Sequence, residues 1–155
     1  MSGPGMRRTG PVDLAVPFFV IGVSAYVLLK FSYDSIPPLH YGTPLPLAVL
    51  AVAEFVAARR VRAAVRHDPG ARLMAAIVIA RCTALGKASS LVGAAVAGAA
   101  GGLLLRVLPD AGTLKAAAND SRVGLLIFGA GALLVAAGLV LERAGVDPNR
   151  NREDR

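Results

Sequence analysis

Tryptophan is absent, cysteine occurs once, histidine twice, and ten acidic residues face seventeen Lys and Arg. Each shortage excludes something. With Cys82 as the single cysteine, no internal disulfide forms and no Cys pair stands at metal-ligand spacing. His40 and His67 fall on opposite sides of the membrane in the topology derived below, so they cannot share a metal ion. There is no Gly-rich phosphate loop of the Walker type, and no Ser, His and Asp set that the topology would bring together. Asp34, Asp110 and Asp120 could converge on one face, but loop carboxylates are far more often solvated. No catalytic, metal or cofactor role is therefore expected.

What the chain does have is long apolar runs. Of its 155 residues 55% are hydrophobic, and about 30 Å of hydrocarbon needs roughly 20 predominantly apolar residues in a helix. The first run is "LAVPFFVIGVSAYVLL", 14–29; the second covers 45–58 and continues into an Arg-rich end. The third lies within 80–108, and the fourth, 123–141, contains no charge. This pattern predicts an all-α, polytopic membrane protein with four transmembrane helices, at about 13–33, 44–66, 73–108 and 121–143. A segment 1–12 precedes the membrane domain, 13–142, and a polar tail, 143–155, follows it. Four spans leave no room for a soluble catalytic domain. Although "MRR" before an apolar run also opens secretory leaders, Ser24 and Ala25 make a poor cleavage site and the run continues past them, so the first helix is expected to stay uncleaved.

Basic residues near span ends are retained on the cytoplasmic side. Placing the N-terminus inside puts Arg7, Arg8, Arg59, Arg60, Arg62, Arg66, Arg72, Arg143, Arg150, Arg152 and Arg155 in the cytoplasm, against Lys30, Arg106, Lys115 and Arg122 outside. Both termini are thus expected to be cytoplasmic, at the plasma membrane. The net charge of +7 follows from this bias and from apposition to anionic membrane lipids. Nucleic acid is not an expected partner, because the Arg cluster lacks interleaved aromatics and adjoins a span. The connections are proline-bearing "DSIPPLHYGTPLP" at 34–46, a turn in "RHDPGAR" at 66–72, and a loop at 108–122 with a helix cap expected among Asn119, Asp120 and Ser121.

The third helix carries the most specific pattern. Gly86, Ser90, Ala94, Gly98 and Gly102 repeat every four residues, as do Ser89, Gly93, Ala97 and Gly101. Residues four apart stack on one helix face, so these columns form a ridge of small residues, which lets helix backbones approach closely in lipid. The ridge is read as packing within the bundle, with a homodimer seam or a membrane-protein partner as the sharper alternative. Val107 is read as lipid-facing. At roughly 100° per residue, and with Gly86 at zero, Lys87 falls at about 100°, inside the ridge sector, and Arg81 near 220°, outside it. Arg81 is accordingly an interfacial anchor. Lys87 needs a partner at depth, and Glu54, alone among the acids in lying within a span, stands at matching depth on the preceding helix. A Glu54 to Lys87 ion pair across the hairpin of helices two and three is expected.

These residues resemble a known family. "IARCTALGKASSLVGAAVAG", with Arg81, Lys87, Ala88, Ser89, Gly93 and Gly98, is similar to the central signature of a small actinobacterial membrane-protein family catalogued as domain of unknown function 3180. The prolines after helix one, the Glu of helix two and "AAANDS" before helix four extend the resemblance over nearly the whole chain. It implies four helices, a plasma-membrane location and no established activity. Gly86 stands where the resemblance leads one to expect a slightly larger residue such as Ala. Two roles follow: a noncatalytic accessory or assembly protein packing through the Gly-rich third helix, or a small transporter or channel component using Lys87 and Glu54.

Overall fold

The computed structural model describes residues 9–32, 39–66, 74–112 and 114–145. Expectations for Arg7, Arg8, Asp34, His67, Arg72 and the tail from 146 onward concern residues outside that range. The described residues are all-helical: α1 (Pro11–Ser32), α2 (Leu45–Val65), α3 (Ala76–Val107) and α4 (Lys115–Ala144), with a 3-10 turn at Leu108–Asp110. Pro11 opens α1, where its missing N–H would have had no partner, and the Asp13 carboxylate three residues after Gly10 accepts the Gly10 N–H at 2.8 Å, one half of a capping box. The 3-10 turn is closed by Arg106, whose guanidinium donates to Asp110 at 2.8 Å.

α4 begins at Lys115 rather than at 121. Ala116, Ala117 and Ala118 are strong helix formers, and the polar residues after them serve the tertiary fold rather than a cap. Asp120, only 6% exposed, accepts the Leu39 N–H at 3.1 Å, while the Asn119 side-chain amide donates to the Leu39 carbonyl at 3.1 Å. The two side chains thereby hold the segment before α2 against the start of α4. This earlier start also corrects the reading of Val107. Val107 is fully buried and Ala117 is 1% exposed; the antiparallel register that sets Gly86 against Gly138 and Gly93 against Gly131 brings Val107 opposite Ala117, in the turns of α4 before 121.

The helices lie in a row in the order α1, α3, α4, α2. α1 and α3 run parallel, since Gly98 meets Phe18 and Gly102 meets Gly22 and Tyr26. α3 and α4 run antiparallel, with Gly86 against Gly138 and Gly93 against Gly131. α2 and α4 run parallel: Ala51 clusters with Leu134 and Ala137, and further along Ala58 and Val61 cluster with Leu141 and Ala144. α2 has little contact with α3: Ile79 and Cys82 join the Ala58 cluster, and Glu54 faces Ser89. α1 has no buried residue; it is an edge helix, packed on α3 and meeting α4 through the Phe18 and Phe128 rings.

Among the described residues, three helices are long and apolar enough to cross a membrane: α1, α4, and α3 extended through Asp110. α2 does not reach that standard, because Glu54, Arg59, Arg60 and Arg62 fall within its 21 residues. Its apolar part, 45–58, measures about 20 Å at 1.5 Å per residue, short of the hydrocarbon thickness.

Candidate functional site

The small ridge of α3 is divided between two neighbours. On the α4 side, a methyl group at Gly86 would lie 2.6 Å from the Gly138 carbonyl oxygen and 2.8 Å from the Glu142 nitrogen. One at Gly138 would lie 2.5 Å from the Gly86 oxygen and 2.8 Å from the Ser90 nitrogen. Seven residues on, Gly93 stands in the same relation to Gly131, at 2.8 Å. Steps of seven on both helices are the repeat that keeps one seam facing its partner. Side chains beyond hydrogen have no space there, so Gly86 is required by the Gly138 backbone and is not a point of looseness. On the α1 side the step is four: methyl groups at Gly98 and Gly102 would run into the Phe18 and Gly22 carbonyls. Of the remaining ridge residues, Ser90 and Ala94 are buried, and Gly101 has room, with its nearest neighbours the Phe18 and Phe128 rings at 3.9 Å.

Polar groups at these seams are satisfied locally where the helix permits. The Ser90 hydroxyl donates to the Lys87 carbonyl at 2.8 Å, and the Thr83 hydroxyl to the Ile79 carbonyl at 3.0 Å, the usual recourse of hydroxyls in helices.

The charged residues are placed differently from the sequence expectation. Glu54 is buried, 2% exposed, but neither of its carboxylate oxygens has a hydrogen-bond partner. The polar side chain it faces is the Ser89 hydroxyl, not at hydrogen-bonding geometry. The hydrogen-bonded pair of Glu54 with Lys87 is therefore not formed. The reason is angular: Ser89 lies near −60° on α3 and Lys87 near +100°, so about 160° separates the side of the helix facing Glu54 from the side carrying Lys87. The sequence reading assumed that chain neighbours pack together, whereas α2 is seated on α4. Lys87 is half-buried and Arg81 exposed; Arg81, near 220°, points away from both glycine seams.

One buried acid escaped the sequence reading. Glu142, 6% exposed, accepts the Thr9 N–H at 2.8 Å through Oε1, while its Oε2 and the Thr9 hydroxyl have no partner. It sits directly after the last apolar run, beside Arg143. The available signal was spacing, since Glu142 lies four residues beyond Gly138 and seven beyond Val135, on the α4 face that meets α3. His40 is exposed and Cys82 is a free, half-buried thiol. Among the described residues no group of three His, Cys, Asp or Glu could hold a metal ion.

Described residues that are all-helical, with three helices of membrane length joined through glycine-on-glycine seams, place the chain among membrane-associated helical proteins. Its family is identified by sequence: the family described as protein of unknown function (DUF3180) matches residues 14–148, and the chain belongs to it. No curated protein and no solved structure matches it.

Proposed function

We propose that this chain is a multi-pass plasma-membrane protein in which all four helices cross, with both termini cytoplasmic, and that it works as a noncatalytic accessory or assembly factor. The observation that carries this reading is the open row of helices. α1 packs its backbone on α3, reaches α4 through the edge-to-face pair of Phe18 and Phe128, and leaves large apolar side chains uncovered on its flanks, among them Val16, Phe19, Val20 and Val23. Beside it runs a groove of about 540 Å³ lined by Phe19, Val23, Tyr26, Gly101 and Leu105. A partner helix can enter there without rearranging the row, and the small Gly101 permits the close approach on which helix association in lipid depends. The test is affinity purification from native membranes of the wild type and of Gly101→Leu, with Leu133→Trp on the exposed side of α4 as control. The reading expects a copurifying membrane protein, or a second copy, that Gly101→Leu loses and the control retains. Equal retention in all three would remove it.

A second reading, a small transporter or channel component, is favoured by the buried and unpartnered Glu54 carboxyl, since ionisable groups at membrane depth mark transport paths in many proteins. Its Glu54 carboxylate has no hydrogen bond from Lys87. Flux in proteoliposomes that Glu54→Gln abolishes would support it.

A further inference from the structure

α2 carries a stripe that packing against α4 does not use. Its seam residues are Ala51, Glu54, Ala58 and Val61, all buried. One residue further round, Val52, Phe55, Arg59, Arg62 and Arg66 recur at steps of four and three, which places them along a single helix face, and all are exposed. The stripe is sharply divided: Val52 and Phe55 are apolar, and everything beyond them is guanidinium. Arg59, Arg62 and Arg66 have no ion-pair partner among the described residues. The buried acids cannot supply one, since Glu54 is enclosed in the seam with α4, Asp120 is bound to Leu39 and Glu142 to Thr9.

From this division we infer that the outer face of α2 is a binding site for an anionic phospholipid, with acyl chain along Val52 and Phe55 and phosphate among Arg59, Arg62 and Arg66. The three arginines cover about 10 Å of helix, the depth of a headgroup layer rather than of hydrocarbon. Guanidinium forks match phosphate oxygens two at a time. An acidic soluble protein would satisfy the arginines but not the apolar half, whereas a phospholipid satisfies both in the order in which they occur. The same lipid accounts for a helix too short and too charged to cross by composition: α2 is completed on one side by α4 and on the other by bound lipid. This inference does not depend on the accessory role proposed above.

The experiment measures lipid retention by native mass spectrometry of the full chain in detergent, titrated with phosphatidylglycerol, phosphatidylcholine or inorganic phosphate. Each arginine near an anionic lipid surface is worth about fivefold in affinity, so Arg59→Gln, Arg62→Gln and Arg66→Gln together should weaken phosphatidylglycerol binding on the order of a hundredfold. Phe55→Ser should weaken it too, with the charge intact. Arg60, on another side of α2, is the control, and Arg60→Gln should cost less than Arg59→Gln. Helical circular dichroism confirms that each variant is folded. Equal effects of Arg60→Gln and Arg59→Gln would reduce the site to nonspecific charge and overturn the inference. So would inorganic phosphate competing as well as the lipid, or phosphatidylcholine binding as tightly as phosphatidylglycerol.

Discussion

Gly138→Ala isolates the contact on which the α3–α4 seam rests. The added methyl carbon would lie 2.5 Å from the Gly86 carbonyl oxygen and 2.8 Å from the Ser90 nitrogen, where ordinary carbon contacts sit at about 3.5–4.0 Å. Both obstacles are backbone, so no side chain can rotate away; the helices must part by roughly 1 Å. A gap of that size forfeits about a quarter to a half of the dispersion energy of each seam contact, and overpacking of this kind costs about 1–3 kcal/mol. Working against it, Ala is up to about 1 kcal/mol better than Gly in a helix interior. The net expectation is a loss of about 1–2 kcal/mol. Gly129 supplies the comparison, because a methyl there meets nothing within 4 Å; Gly129→Ala should be neutral or stabilising by up to about 1 kcal/mol. Gly86→Ala combined with Gly138→Ala should lose less than the two singles added, because one separation accommodates both methyls. The assay is unfolding by a denaturing detergent in mixed micelles, followed by circular dichroism. Equal responses at Gly138 and Gly129, or full additivity of the pair, would refute the seam.

Three further outcomes are expected. Gly98→Ala should destabilise as Gly138→Ala does, because its methyl meets the Phe18 carbonyl, whereas Gly101→Ala, with 3.9 Å to its nearest neighbours, should not; the same unfolding assay distinguishes them. In double-mutant cycles Lys87→Met should couple to Glu142→Gln by about 1 kcal/mol and to Glu54→Gln by less than about 0.5, since Gly86, beside Lys87, abuts Glu142 while Glu54 faces the far side of α3; the reverse order would put Lys87 on the wrong side. Asp120→Ala removes the acceptor for the Leu39 N–H and should cost about 1–3 kcal/mol, with faster hydrogen exchange at Leu39 as its direct sign.

Helix existence was legible because α1, α3 and α4 rest on apolar runs long enough to be unambiguous, and the ridge was legible because small residues at steps of four have a direct packing meaning. Which helix α2 would join was not legible from adjacency in the chain. The information lay elsewhere, in Gly131 and Gly138, whose spacing of seven matches Gly86 and Gly93 and assigns that face of α3 to α4. The start of α4 was misjudged because Asn119 and Asp120 look like capping residues; their hydrogen bonds go instead to Leu39, a contact 80 residues away for Asn119. Glu142 was hidden by its position among boundary charges. For α2, Asn119 and Asp120 alike, the partner was set by tertiary packing.

The crossing of α2 is the step that composition alone does not support, and accessibility labelling tests it directly. With Cys82 replaced by Ala, single cysteines are introduced at Thr43, just before α2, and at Ala63, near its other end, and intact cells are treated with an impermeant thiol reagent. Four crossings with cytoplasmic termini predict modification at Thr43, and modification at Ala63 only after the membrane is opened. Labelling of both positions from outside, or of Ala63 alone, would contradict the account.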